Sequence, residues 1–205
     1  SKAVFEAMDY RTDQFRLAAK TFETAIADLF HIDYCVSTAS GTDAMFLALL
    51  ALQVGPGDEV VTTPNASLET VGAICRTGAK IRFVDVNPLT LNIDVSQIES
   101  VLSHRAKVIV PAHFCGQPAE LDCVQRLARR HGLYVLEDAS EACGAVYRGR
   151  PAGTFGDLGC FRFSPQTFYG AYGESGAIVT HTEKLAERLH FLYYEQSGAQ
   201  LNNLP

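Results

Sequence analysis

Residues 107–138, KVIVPAHFCGQPAELDCVQRLARRHGLYVLED, contain two short apolar runs that are separated by a helical segment. Lys107–Val110 and Tyr134–Glu137 are nearly continuous in apolar residues, which is typical of strands that are covered on both faces. Ala119–His131 has the apolar spacing that predicts an amphipathic helix. A strand, a helix and a second strand of these lengths form a βαβ unit, in which the two strands are parallel.

The same alternation extends in both directions from this unit. Further strands are predicted at Tyr34–Ser37, Glu59–Thr63, Lys80–Val86, Cys160–Phe163 and Ala177–Thr180. Further helices are predicted at residues 12–30, Ala44–Leu52, Leu68–Arg76, Val95–Leu102 and from about Thr182 onward. The sequence therefore predicts an α/β fold with three layers, in which helices cover both faces of a doubly wound, mainly parallel sheet of seven strands.

Composition excludes several classes of protein. The chain has 205 residues, of which 47% are hydrophobic and 20% charged, and this suits one globular domain with a sizeable core. The net charge of −6 gives no electrostatic reason to expect nucleic acid or an anionic membrane as a partner. The densest basic spot, Arg126, Arg129 and Arg130, has helical spacing and indicates a solvated helix face. No apolar stretch approaches the roughly 20 residues of a membrane span and no signal pattern is present, so we expect a cytoplasmic protein.

Cysteine and histidine spacing gives no sign of a metal site. The histidines show neither HxxxH nor HxH spacing, and the cysteines form no CxxC pair. Several cysteines fall inside apolar runs, so free, buried thiols in a reducing compartment are expected rather than disulfides. The six are Cys35, Cys75, Cys115, Cys123, Cys143 and Cys160.

Ligands of doubly wound sheets bind beyond the carboxyl ends of the strands, and this rule selects four places in the sequence. They are Ser40-Gly41-Thr42, Ser67, Asp138 and the stretch Ser164–Tyr169. Each follows a predicted strand directly or within a few residues. We expect these four places to lie at the same edge of the sheet.

Two of these places allow more than one interpretation. Ser40-Gly41-Thr42 joins a strand to a helix, where a glycine, two hydroxyls and a helix N-terminus suit a phosphate but also suit ordinary helix capping. Glu137-Asp138 ends an apolar strand, where a poorly solvated carboxylate needs a cationic or hydrogen-bonding partner. A protonated heterocycle nitrogen or an arginine would serve, and so would the backbone of the next turn.

Seven segments of the chain resemble successive signatures of one enzyme family, the DegT/DnrJ/StrS aminotransferases. These enzymes use pyridoxal phosphate to aminate keto-sugars on nucleotides and some keto-cyclitols. The order and spacing of the segments match from about Phe22 to Glu195. The segments are Ser40–Ala44, Val54–Val60, Gly78–Lys80, Asp85–Pro88 with Asn92–Asp94, Pro111–Pro118, Glu137–Ala142 and Gly170–Ala177.

The resemblance implies the large domain of the aspartate-aminotransferase fold, type I, with Ala177–Thr180 as its antiparallel strand. It divides the chain into an N-terminal helical segment at 1–30, the large α/β domain at 31–195, and at 196–205 the start of a small C-terminal domain that is missing or truncated. The family's active site lies at a dimer interface, so a homodimer, or a heterodimer with a paralogue, is implied. The implied substrate is a nucleotide sugar or a cyclitol.

The resemblance also implies roles for five residues. Gly41, Thr42 and the backbone of Asp43 correspond to the loop that holds the cofactor phosphate. Asp138 corresponds to the aspartate that pairs with the pyridine nitrogen and keeps the ring protonated as an electron sink. Glu141, three residues later, corresponds to a side chain that commonly contacts the phenolic oxygen of the ring.

At the position of the family's Schiff-base lysine the sequence departs from the pattern. The family stretch resembles FSFxPTKNLG, and residues 161–170 here read FRFSPQTFYG, with the same length. Without a gap, Thr167 occupies the position of the lysine. A threonine hydroxyl can neither form an imine with the cofactor aldehyde nor act as the amine base that transamination needs.

Two neighbouring positions depart in the same way. Arg162 stands where the family has a serine that helps to bind the phosphate, and a guanidinium still suits a phosphate or a carboxylate through paired hydrogen bonds. Ser67 stands where the family commonly has an aromatic residue stacked on the cofactor ring. Three changes around one ring indicate altered chemistry.

Three functions stay open at this point. In the first, the chain is a homologue without the lysine: a degenerate subunit, or a fold reused in sugar or secondary-metabolite biosynthesis, which binds pyridoxal phosphate without a covalent imine if it binds it at all. In the second, it is an active aminotransferase, and the sequence as printed lacks a modified lysine after Thr167 as well as the C-terminal domain. In the third, it binds a phosphorylated ligand without catalysis.

Overall fold

The computed structural model describes residues 13–167 and 170–194. The α-helices of these residues are α1 (Asp13–Phe30), α2 (Gly41–Ala51), α3 (Leu68–Arg76), α4 (Val95–Val101), α5 (Leu121–His131) and α6 (Glu183–Tyr194). The strands are β1 (Tyr34–Thr38), β2 (Glu59–Thr62), β3 (Lys80–Phe83), β4 (Ala106–Ile109), β5 (Tyr134–Asp138), β6 (Val146–Tyr147), β7 (Arg150–Pro151), β8 (Leu158–Phe163) and β9 (Ser175–Thr180). The predicted start of a C-terminal domain, at 196–205, lies outside the described residues, as do residues 1–12 of the predicted N-terminal segment.

Seven of the strands form one sheet in the order β1-β9-β8-β5-β4-β2-β3. β9 is antiparallel to both of its neighbours, with Val179 opposite Cys35 of β1 and Ile178 opposite Cys160 of β8. Every other pairing in this sheet is parallel. The predicted fold class is therefore confirmed, and so is β9 as the antiparallel strand.

Successive strand residues point to opposite faces of the sheet. Because apolar residues occupy both faces, helices cover both. Val60 and Ile178 pack in a core cluster with residues of α2, α3 and α6. Their neighbours in sequence, Val61 and Val179, lie on the other face, where Val61 shares a core cluster with residues of α4 and α5 and Val179 shares one with residues of α1. Leu49 of α2 is fully buried in the first cluster. Truncation of such a leucine to alanine costs about 2–5 kcal/mol of unfolding free energy.

Two features of the sheet differ from the sequence prediction. β3 ends at Phe83 instead of Val86 and exposes Lys80 and Phe83, because it is the edge strand and only one neighbour pairs with it. The separate hairpin of β6 and β7 is absent from the prediction. Its turn residues Arg148 and Gly149 have φ values of 48° and 81°, the left-handed backbone of a tight hairpin, without the usual Asn-Gly signal.

The topology brings the carboxyl ends of four strands to one edge of the sheet. β1 ends just before α2, and β2 ends a few residues before Ser67 and α3. β5 ends at Asp138, and β8 ends just before Ser164. Since all four strands are parallel, the positions selected from the sequence share this edge. No helix within the described ranges is both long enough and apolar enough to cross a membrane.

Candidate functional site

A cleft of about 630 Å³ opens at this edge of the sheet. It is lined by five of the residues that the sequence singles out: Ser67, Asp138, Glu141, Arg162 and Thr167. The other three, Gly41, Thr42 and Asp43, do not line it, but Gly41 lies directly beneath the side chain of Arg162. A Cβ atom added to Gly41 would lie 2.8 Å from the Cβ of Arg162, so only a glycine leaves room for the arginine stem.

Asp138 is the group in the cleft whose charge is least compensated. It is only 5% exposed. Its Oδ2 accepts a hydrogen bond from Thr70 Oγ1 at 2.5 Å, and its Oδ1 accepts one from the backbone N–H of Ser140 at 3.2 Å. Among the described residues no cation pairs with it. A buried carboxylate with neutral partners alone favours a cationic group in the cleft.

Glu137, the residue before Asp138, points to the other side of the strand and has a structural role. Its fully buried carboxylate accepts hydrogen bonds from the backbone N–H groups of Gly153 at 2.8 Å, Phe155 at 2.6 Å and Gly156 at 2.5 Å. A fourth contact, at 3.0 Å, joins it to His113 Nε2. The two neighbouring carboxylates therefore have different roles. Glu137 holds the loop 153–156 in place, and Asp138 faces the cleft.

Both ring nitrogens of His113 have hydrogen-bond partners. Its Nδ1 accepts a hydrogen bond from the backbone N–H of Ala119 at 3.3 Å, so Nδ1 carries no proton. The proton therefore lies on Nε2, which donates to Glu137. The backbone N–H of His113 also donates to the carbonyl of Asp138 at 3.1 Å. These bonds fix the end of β5 and with it the position of the Asp138 side chain.

Glu141 also lines the cleft, and a left-handed turn at Cys115 and Gly116 holds its side chain. Its Oε2 accepts a hydrogen bond from the backbone N–H of Cys115 at 2.8 Å. Cys115 and Gly116 have φ values of 51° and 79°. Glu141 is exposed, so it keeps access to a ligand while one of its oxygens is bound by its own chain.

Thr167 closes a turn with Ser164. Its Oγ1 accepts a hydrogen bond from the Ser164 N–H at 3.0 Å and donates one to the Ser164 carbonyl at 2.9 Å. The Thr167 N–H donates to the same carbonyl at 3.1 Å. The hydroxyl is therefore used within its own turn, and no lysine among the described residues lines the cleft. Phe168 and Tyr169, which belong to the predicted stretch, lie outside the described residues.

Arg162 is bound by two carboxylates of its own chain. Its Nη1 donates to Glu69 Oε1 at 2.6 Å, and its Nε and Nη2 each donate to a different oxygen of Glu174 at 3.3 Å. The hydrogen bond to Glu174 and, secondarily, the charges of both glutamates raise the pKa of Arg162. The sequence predicts that this guanidinium suits a phosphate or a carboxylate. In the structure it binds two carboxylates of the same chain, Glu69 and Glu174.

The loop Ser40-Gly41-Thr42 shows the capping arrangement. Ser40 Oγ accepts a hydrogen bond from the Asp43 N–H at 3.1 Å and donates one to Asp43 Oδ2 at 3.0 Å. Ser40 is therefore the N-cap of α2. The Asp43 N–H, which the resemblance assigns to a phosphate, is therefore already bound to Ser40. Asp43 also pairs with Arg76 at 3.5 Å.

A second, larger groove of about 890 Å³ lies between α4 and α5. Arg126, Arg129 and Arg130 line it, and they are exposed as the sequence predicted. Arg126 pairs with Asp122 at 2.9 Å, and Arg130 pairs with Glu99 at 3.2 Å. The groove therefore has the character of a solvated helix face, and the chemistry-bearing residues lie in the smaller cleft.

Thiols and metal ligands complete the description of the site. The cysteines of the described residues are all free, and two of them, Cys35 and Cys160, are buried. Burial raises the pKa of Cys143, which lines the cleft, to about 11. Between residues 13 and 167 and between 170 and 194, no group of three histidine, cysteine or acidic side chains is placed to hold a metal ion.

The sequence itself decides the family. Residues 10–202 match the DegT/DnrJ/EryC1/StrS aminotransferase family. The chain belongs to this family. Among its relatives is a pleiotropic regulatory protein from Geobacillus stearothermophilus, 41% identical over 87% of this chain and 48% of the relative. Another is a UDP-N-acetyl-3-dehydro-alpha-D-glucosamine 3-aminotransferase from Acidithiobacillus ferrooxidans, 40% identical over 84% of this chain and 47% of the relative.

Solved structures of the DegT/DnrJ/EryC1/StrS family share the fold. DesV from S. venezuelae, solved in complex with a ketimine intermediate, superposes with a TM-score of 0.84 at 34% identity and covers 98% of this chain and 57% of that one. NtdA from Bacillus subtilis, solved with bound cofactor PMP, superposes with a TM-score of 0.80 at 35% identity over 85% of this chain and 40% of that one. The chain spans about half the length of the relatives that it matches.

Proposed function

We propose that this protein is a lysine-less member of the family, which binds a pyridoxal-type ring in the cleft without a covalent imine and does not transaminate keto-sugars by itself. The observation that carries the proposal is the state of Thr167. It occupies the position that the resemblance gives to the lysine, and its hydroxyl donates one hydrogen bond to Ser164 and accepts one from it. No amine is present at this position.

The ring half of such a ligand fits the described residues. Asp138 presents a buried carboxylate whose partners among the described residues are neutral, and a protonated pyridine nitrogen supplies an opposite charge and a hydrogen-bond donor. When bound, the ring acts as an electron sink through its protonated nitrogen. Thr70 and Ser140 orient the carboxylate, and the bonds of His113 and Glu137 fix the strand end that carries it.

Two of the groups that would hold the phosphate half already have partners within the chain. The guanidinium of Arg162 is bound by Glu69 and Glu174, and the Asp43 N–H is bound by Ser40. A phosphate that used either group would have to replace its partner. We therefore derive the proposal from the ring alone.

Absence of an imine is compatible with binding in this fold. PMP, which is bound in the NtdA structure, carries an amine in place of the aldehyde and therefore makes no imine with a protein lysine. This supports the proposal that a pyridoxal-type ring binds to this protein without an imine.

The partner and the substrate follow from the family as part of the same proposal. We propose that the protein forms a dimer, as a degenerate subunit with an active paralogue or as a homodimer with reused chemistry. The proposed substrate class is a nucleotide sugar or a cyclitol. The Acidithiobacillus relative, an aminotransferase of a UDP-linked sugar, supports the nucleotide sugar. The predicted cytoplasmic location stays a prediction, and so do the predicted domain boundaries.

The test is intact-mass and peptide analysis of the purified protein after incubation with pyridoxal phosphate and with pyridoxal, before and after borohydride reduction. We expect saturable ring binding in the visible spectrum and no reducible adduct within residues 161–176. A lysine adduct on that peptide would show that the protein is a conventional aminotransferase. Binding of a phosphorylated ligand without any ring binding would instead favour a non-catalytic phosphate binder.

A further inference from the structure

Arg162, Glu69 and Glu174 form a charged cluster where the cleft meets the N-terminus of α2. Three of the five N–H donors of the guanidinium are directed at the two glutamates, at 2.6 Å and twice at 3.3 Å. The side chains of Arg162, Glu69 and Glu174 are 23%, 34% and 49% exposed, so a ligand can reach all three. The arginine stem packs on Gly41, which fixes the guanidinium in place.

The cluster carries an excess of negative charge. One guanidinium faces two carboxylates, which leaves a net charge of −1. Asp43 at the start of α2 pairs with Arg76 at 3.5 Å, so these two charges offset each other. A phosphate monoester carries about −1.5 to −2 at pH 7. It would therefore meet like charge even where it reached the two remaining donors of Arg162.

The hydrogen-bonding groups of Glu69 and Glu174 also disfavour a phosphate. A phosphate dianion offers acceptors only, as do the two carboxylates, so neither Glu69 nor Glu174 can bond to it. A primary hydroxyl is a donor and can bond to either carboxylate. The cluster thus suits a ligand that carries a hydroxymethyl group where a phosphorylated ligand carries its phosphate.

We infer that Glu69 and Glu174 are specificity-determining residues, which hold Arg162 in ion pairs of the chain itself and make the cleft select the unphosphorylated ring, pyridoxal or pyridoxamine, over its phosphate ester. This inference rests on the proposed function, because it assumes that the cleft takes a pyridoxal-type ring. It adds which form of the ring is bound and which residues decide it.

The experiment measures the affinities of pyridoxal, pyridoxal phosphate and inorganic phosphate by titration calorimetry of the full chain. The variant Glu69→Gln/Glu174→Gln keeps the shape of both side chains and removes both charges. Adding Arg162→Met to this variant keeps the stem over Gly41 and removes the guanidinium. As the matched control, Glu120→Gln/Glu183→Gln removes two charges from exposed glutamates outside the cleft.

We expect the wild type to bind pyridoxal at least as tightly as pyridoxal phosphate. The double glutamine variant should shift the preference toward the phosphate ester by about tenfold or more, and Arg162→Met should cancel the gain. The control variant should keep the preference of the wild type. A wild type that prefers pyridoxal phosphate by about tenfold or more would overturn the inference and leave the proposed function intact.

Inorganic phosphate keeps the two proposals distinguishable. If no form of the protein binds either ring, the proposed function fails, and the selection of the unphosphorylated ring fails with it. Where the ring binds, inorganic phosphate tests the cluster separately. A gain of phosphate binding in the double glutamine variant that Arg162→Met abolishes supports the inference. Equal phosphate binding by the wild type and the double glutamine variant overturns it and leaves the proposed function intact.

Discussion

Asp138 and Arg162 line the same cleft, and their charges are compensated in opposite ways. Asp138 is buried, and its partners among the described residues are a hydroxyl and a backbone N–H. Arg162 is partly exposed and has two carboxylates as partners. Within the described part of the chain, no cation pairs with the first charge, and two carboxylates pair with the second. The two regions therefore differ in what they leave for a ligand.

This difference separates a residue that provides affinity for a ligand from residues that determine which ligands are rejected. An unpaired buried charge lowers the stability of the free protein, and a ligand of opposite charge recovers that free energy on binding. A paired, partly exposed charge contributes little to stability, and the carboxylates that pair with it repel an anionic ligand. Asp138 is accordingly the residue that we expect to determine affinity, and the Arg162 cluster determines which ligands are rejected. The predictions below test this division.

The largest effect is expected at Thr167. Thr167→Lys places an amine in the cleft that Asp138 also lines, so we expect a reducible imine with pyridoxal where the wild type forms none. Borohydride reduction followed by peptide mass analysis measures it. Transamination of keto-sugars should stay absent, because Ser67 and Arg162 are unchanged and orientation supplies much of the rate.

Thr167→Val is the control for this variant, since it also loses the hydroxyl bonds to Ser164 but gains no amine. Both variants should unfold at similar temperatures. If Thr167→Lys folds, binds the ring and still forms no adduct, Thr167 does not fill the position of the lysine, and the proposed function loses its main support.

The next largest effect is expected at Glu137, the structural neighbour of Asp138. Glu137→Ala leaves His113 and three backbone N–H groups in the loop 153–156 without their acceptor. We expect a loss of about 3–5 kcal/mol in the free energy of unfolding, measured with denaturant. Glu141→Ala, the control, removes one bond from an exposed carboxylate and should cost much less.

Asp138→Asn should separate affinity from stability. An asparagine can still accept from Ser140 and donate to Thr70, so the unfolding free energy of the free protein should stay the same or rise. Ring binding should weaken by about 1.5–3 kcal/mol, because a charge-assisted bond is lost. Calorimetry and denaturant unfolding on the same samples measure both. Equal ring affinity of wild type and variant would show that Asp138 is a structural residue.

The sequence predicts the fold and the edge of the sheet better than it predicts the contacts in the cleft. Apolar periodicity reports burial, so all seven strands of the sheet could be predicted, and the carboxyl-edge rule brought Asp138 and Thr167 together. The polar partners could not be predicted, because they lie far apart in the sequence. Thr70 and Asp138 are 68 residues apart, and Glu69 and Arg162 are 93 apart.

The helix start at Ser67 gave the one available signal for Thr70. Ser67 caps α3 by accepting from the Thr70 N–H, which places Thr70 in the first turn next to the cleft. A capping pattern predicts that geometry from the sequence but does not identify the carboxylate across the cleft. For Glu137, burial was predictable from the apolar strand, whereas its capture of a loop 16 to 19 residues later was not.

The smallest effect is expected for Glu69→Gln. If the Arg162 cluster selects ligands and does not stabilise the fold, the loss of the Glu69 charge should barely change the free energy of unfolding. Glu69 and Arg162 are both solvent-accessible, and exposed ion pairs contribute about 0–1 kcal/mol. Arg162 also keeps its two bonds to Glu174 in the variant, so the guanidinium stays in place. Denaturant unfolding at low and high salt should therefore show nearly equal free energies for wild type and variant. A loss of several kcal/mol would mean that the pair is structural, in which case Arg162 is as indispensable to the fold as Glu137, and the division between binding and selecting residues does not hold.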